Sequence, residues 1–223
     1  MNSTSEQQDA QHLRMTTAPV PGLILSLSVP SIITCIITSV YNMADTFFVA
    51  QLGTAAVAAV GVVFSISSVL SALGFWMGTG GSSLVSLYLG AREKEKAHCA
   101  ASTGFFLALG LGGVIAAGGL LALEPLMRLL GTPENVFADS QLYLNVYIGG
   151  LTFLFLYNIC TGVFTALGDS RTPLYFLIAS SLANIVMDVV FVVCFHMGVG
   201  GVAWATFLCQ GVASVLAAWT LFR

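Results

Sequence analysis

The sequence predicts an all-α membrane protein with six transmembrane helices, and three observations carry that prediction. Of the 223 residues, 57% are apolar and only 8% charged, against roughly 25% charged in an ordinary soluble domain. The mean hydropathy is +0.92. The apolar residues fall in continuous runs near the ~20 residues a helix needs to cross a bilayer, separated by short polar knots. So few charges cannot coat a globule of this size, which excludes a soluble enzyme, a nucleic-acid binder and a disordered tail.

Six runs define the spans: Ile24–Val49, Val57–Gly80, His98–Leu123, Leu142–Ala166, Pro173–Phe195 and Val199–Phe222. Each is continuous and far longer than the ~9–11 residues of a barrel strand, so helices are implied. Residues 1–20 are polar and carry Glu6, Asp9 and Arg14 without the basic start and cleavage site of a signal peptide. They are expected to be a cytoplasmic leader. Arg14, Arg92, Lys94, Lys96, Arg171 and Arg223 fall on one side of the spans and only Arg128 on the other. That bias places both termini in the cytoplasm of a multi-pass protein of the plasma membrane.

The knots have readable chemistry. In GDSRTP, Asp169 or Ser170 turns the chain and Pro173 suits a helix's first turn. In GTPENV, Thr132 is the expected N-cap, with a short interfacial helix running from Pro133 into the fourth span. Gly74/Gly78 and Gly112/Ala116 stand at helical spacing, where small residues let helices approach closely. The five cysteines are widely spaced with no CxxC pair, which indicates neither a metal site nor a disulfide framework. They are expected to be small buried packing residues. His98 and His196 flank spans and are expected at the surface, and the three tryptophans as belt or packing residues.

The informative residues in a bilayer are the expensive ones. An Asp at the centre of a spanning helix costs about 2.5–3.5 kcal/mol on insertion scales, and two qualify, Asp45 in the first span and Asp188 in the fifth. Asn184 and Asp188 are i and i+4, so they share a helical face, which Ser181 extends. The first and fifth spans run outward and the sixth inward. Asp45, Asp188 and Thr206 therefore reach one level in the outer half, with Gln210 one turn further on. Two carboxyls together in low dielectric cannot both ionise cheaply and titrate as a pair. Such a pair can take up a proton or a sodium ion, which couples ion movement to a conformational change. The bland reading is an Asp that merely bonds neighbouring helices or lies near the membrane surface. Pro30, inside the first span, removes a backbone hydrogen bond and makes either a hinge or a static kink.

These motifs occur together in a known family. Across Pro21–Arg223 the chain resembles the amino-terminal lobe of a multidrug and toxic compound extrusion (MATE) transporter, in its DinF-like branch. The resemblance is carried by VPSIITCIITSVYNMADTFFVAQLG, YLGAREKEKA, GTPENVFADSQLYLNV, GDSRTP, and LANIVMD followed by GVGGVAWAT, in the expected order. It implies a secondary antiporter with two six-helix lobes around a central cavity, exporting organic cations, drugs or other amphiphiles in exchange for protons or sodium. It maps an ion-coupling cluster onto Asp45, Asn184, Asp188 and Thr206, and a bending proline onto Pro30. No cofactor beyond the coupling H+ or Na+ is implied. The implied partners are membrane lipid, a small cationic or amphiphilic substrate, and either the carboxy-terminal lobe or a second copy. Nucleic acid is not among them.

Two other readings compete. A non-transporting, self-associating subunit or channel component is compatible with the small-residue faces. An intramembrane serine protease is suggested by GTGGSS and His196, but a serine needs a base within hydrogen-bond reach. Ser82 and Ser83 lie at the opposite membrane face from His196 in the predicted topology.

Overall fold

The computed structural model describes residues 19–222, so the greater part of the predicted leader, with Arg14, and Arg223 lie outside the described residues. Among the described residues the chain is helical throughout: α1 (Val20–Gln51), α2 (Thr54–Gly90), α3 (Lys94–Leu129), α4 (Glu134–Gly149), α5 (Leu151–Ala166), α6 (Arg171–Asp188), a π-helical turn (Val189–Cys194) and α7 (Gly198–Phe222). Five helical stretches are long and apolar enough to cross a membrane. The pair α4 and α5, meeting at 46°, makes a sixth.

The helices outrun the apolar runs. α2 has 37 residues and α3 has 36, about 55 Å each at 1.5 Å per residue, against a hydrocarbon layer of ~30 Å. The run predicted as a span ends at Gly80, but apolar residues recur at Leu84, Val85, Leu87 and Leu89 and the helix continues with them to a turn that stops it. Arg92 N–H reaches the Leu89 carbonyl at 3.0 Å, Glu93 N–H reaches that of Tyr88 at 2.9 Å, and Arg92 takes a left-handed φ of 62°. The same turn ends α3 at Gly131 and α5 at Gly168, with glycine in the left-handed position.

Of the three knot expectations, the Asp169 turn and the helix after Pro133 form and the Thr132 cap does not. Asp169 Oδ1 accepts the N–H groups of Arg171 and Thr172, each at 3.1 Å, and starts α6, with Pro173 in its first turn. Thr132 does not cap α4. Pro133 stands in the cap position and the Thr132 hydroxyl is buried without a partner among the described residues. The helix expected to run from Pro133 into the fourth span is α4, which starts at Glu134, runs on to Gly149 and bends at Gly150 into α5. A Cβ on Gly150 would lie 3.0 Å from the Phe207 ring, so the close approach of α7 favours glycine there.

α5 is the hub, packed against α2, α3 and α7. Lipid supplies no hydrophobic drive between helices, so close van der Waals contact must. A Cβ on Gly162 would sit 2.4 Å from the Gly78 carbonyl oxygen, and one on Gly112 would sit 3.0 Å from Thr152 Cα. Phe155, Ile159 and Leu151 fill the space around these crossings. Only Cys160 of the five cysteines is buried; Cys35, Cys99 and Cys194 are exposed and Cys209 is half-buried. The expectation of packing residues fails for those three because apolar runs here also coat the outer faces of the helices. α1 is the least embedded helix and leans chiefly on α6.

Candidate ion-coupling site

The site forms where α1, α6 and α7 meet. On α6, Ser181, Asn184 and Asp188 make one buried stripe, 8%, 2% and 0% exposed, as their spacing predicts. Asp188 is the last α-helical residue before the π-helical turn, whose wider register shows in the Phe195 N–H to Val190 carbonyl bond of 3.0 Å. Such turns change which way successive side chains face, and they concentrate at functional sites. Asp45 enters from α1 and is half-buried.

Asn184 ties the cluster together. One end of its amide faces two carboxylates, which only accept, so that end is the NH2. In that orientation the nitrogen donates to Asp188 Oδ2 and to Asp45 Oδ1, each at 3.1 Å. The amide oxygen accepts the Thr206 N–H at 3.2 Å and stands 3.4 Å from the Thr206 hydroxyl. Tyr41 OH completes the ring, 3.3 Å from Thr206 Oγ1. Asp188 Oδ1 is buried with no hydrogen-bond partner among the described residues.

All four predicted site residues therefore meet. Tyr41 is an addition to them, although it lies i−4 from Asp45 and so on the same face of α1. Tyr143 also faces Thr206, across a space of about 10 Å³ that Tyr147 and Gln210 help to line, about the size of one water. Tyr147 hydrogen-bonds Ser71 at 2.7 Å, which ties α4 to α2. No sequence spacing links α4 to this site. A cavity of about 130 Å³ opens beside the cluster, lined in part by Thr38, Tyr41, Ser181, Asn184, Thr206 and Gln210.

Pro30 stands fifteen positions before Asp45 in α1. α1 runs unbroken through it, and the Pro30 carbonyl accepts the Thr34 hydroxyl at 2.9 Å. Ser83 donates to the Thr79 carbonyl at 2.9 Å near the far end of α2, whereas His196 is exposed at the turn before α7. The pair considered for a protease thus lies at opposite ends of the bundle.

The MatE family model matches residues 30–190, more than half of the chain. The chain belongs to the MATE family. A relative of this MATE protein, the probable multidrug resistance protein YpnP of Bacillus subtilis (strain 168), is 34% identical over 176 residues, spanning 78% of this chain and 39% of that one. Two crystal structures of a MATE protein superpose closely. One, in a bent conformation, is 32% identical with a TM-score of 0.84 over 90% of this chain and 45% of that one. The other, in a straight conformation, is 33% identical with a TM-score of 0.85 over 90% and 44%. The MATE chain described here thus spans less than half the length of the relatives it matches, as one six-helix lobe. These relatives are transporters rather than enzymes.

Proposed function

We propose that this chain is the amino-terminal half of a secondary antiporter that exports organic cations, drugs or other amphiphiles in exchange for protons or sodium. What carries the reading is the sharing of one amide by two carboxyls inside an apolar lobe. Two carboxylates so placed repel unless a proton or cation joins them, and Asp188 Oδ1 is the atom left without a donor among the described residues. Occupied and empty states of the site then differ by a full charge, so each favours a different packing of α1 against α6 and α7. Thr206 and Tyr41 supply hydroxyl oxygens, or a hydroxyl donor to whichever carboxylate is empty.

Pro30 is the proposed hinge. The missing backbone bond lowers the cost of flexing α1, and MATE structures of similar fold are solved in a bent and in a straight conformation. α1 carries Asp45, so ion occupancy and helix shape move together. The cavity beside the cluster would take part of the substrate, and a second six-helix lobe, further along the polypeptide or from a second copy, would wall the rest. The ends carrying Arg92, Lys94, Lys96 and Arg171 are proposed to face the cytoplasm of a bacterial inner membrane.

The test is ethidium efflux from cells that lack other exporters, with Asp45→Asn and Asp188→Asn at matched expression. Both variants are expected to lose more than tenfold in efflux rate. Undiminished efflux by either would remove that carboxyl from the mechanism.

A further inference from the structure

We propose that the groove between α2 and α3 is a binding site for an anionic phospholipid, whose acyl chain lies along the groove and whose headgroup sits at Lys96. This does not depend on the carboxyl cluster, which lies on the other side of α5. The groove encloses about 530 Å³, within the range of sites that hold a small ligand. Gly80, Gly81 and Gly104 open it by withholding side chains, and Ile159 of α5 forms its floor. A Cβ on Gly80 would meet nothing within 4 Å.

Its polarity is graded along its length. At one end the lining is apolar, with Trp76, Met77 and Leu107. At the other, Tyr88 and Lys96 line it. Twelve helical residues separate Trp76 from Tyr88, about 18 Å, close to the ~15 Å that one leaflet's share of the hydrocarbon occupies. A slot of that length with an aromatic hydroxyl and an ammonium at its mouth matches an acyl chain ending in an anionic headgroup. Lys96 is the single charged residue lining it among the described residues. Its contact with Glu93, at 2.9 Å, is an exposed pair that an approaching phosphate can displace.

The turn joining the two walls supports the same assignment. Among the described residues α2, α3 and α5 end in the same left-handed turn, and two of them use glycine, Gly131 and Gly168. The third, at this mouth, holds Arg92 with φ 62°, a conformation that disfavours a side chain. Arg92 thus adds an exposed cation to the turn that joins the two walls.

The experiment is native mass spectrometry of the purified protein after exchange into dioleoyl phosphatidylglycerol or dioleoyl phosphatidylcholine. The wild type is expected to retain one phosphatidylglycerol per chain and to release phosphatidylcholine. Gly80→Leu, whose Cβ would meet nothing within 4 Å, projects an isobutyl group into the groove and should lose at least tenfold in retention. Leu107→Trp, which fills it from α3, should do the same if the first variant fails to fold. Lys96→Gln should hold both lipids alike. Equal retention of phosphatidylglycerol by wild type and Gly80→Leu overturns the proposal. So does phosphatidylcholine held as firmly by the wild type, or no lipid retained at all because protein covers the groove.

Discussion

The α1–α6–α7 side of the lobe and the α2–α3–α5 side are held together by opposite means. On the second, backbones touch. Gly78 and Gly162 meet where neither has room for a methyl group, and Gly112 meets Thr152 in the same way. On the first, buried polar side chains and a 130 Å³ cavity stand between the helices, and α1 is mostly exposed. Close-packed glycine crossings leave no second arrangement to move into. A ring of hydrogen bonds around two carboxyls does, because its partners change when a cation leaves. In the proposed mechanism one side is therefore the frame and the other the moving part.

The largest expected effect breaks the frame or the moving part, but never both. Asp188→Asn should reduce efflux more than tenfold while thermal unfolding in detergent stays within about 1 kcal/mol of wild type, since Asn still accepts from Asn184. Gly162→Ala should do the reverse. Its methyl group would press on the Gly78 carbonyl oxygen, and overpacking of that kind costs about 1–3 kcal/mol, read as a lower unfolding midpoint with matching loss of folded protein.

Smaller effects sharpen the division. Tyr41→Phe removes one hydroxyl from the ring around Thr206 and should slow efflux several-fold while lowering stability by no more than about 1 kcal/mol, the worth of one such bond. Pro30→Ala should leave the fold intact or slightly firmer and slow turnover more than it weakens substrate binding, measured as separate kcat and KM effects. The smallest change is Gly110→Ala, at a helical position with nothing within 4 Å. It should stabilise α3 by about 0.5–1 kcal/mol and leave transport unaltered.

The moving part is more legible in the sequence than the frame. An aspartate in hydrocarbon announces itself, and the i, i+4 spacing of Asn184 and Asp188 alone puts both on one helical face. The spans are legible because apolar run length reports passage through lipid. It does not report where a helix stops, which is why α2 runs on to the turn at Arg92. Gly150 reads as one more small residue, since the neighbour that a side chain there would crowd, Phe207, belongs to another helix. The π-helical turn after Asp188 has no signal in a run of Val and Phe, and Tyr143 joins the site only through tertiary packing. The cysteines mislead because outer and inner helix faces are equally apolar in a membrane, so composition cannot tell them apart.

The central claim is that the carboxyl pair trades a cation for substrate. It is tested most directly in proteoliposomes by imposing a proton gradient, then a sodium gradient, and following ethidium movement. The wild type should accelerate under one of the two gradients, while Asp188→Asn moves dye at the same slow rate with either gradient or none. An Asp188→Asn protein that responds to the gradient as strongly as wild type would contradict the account.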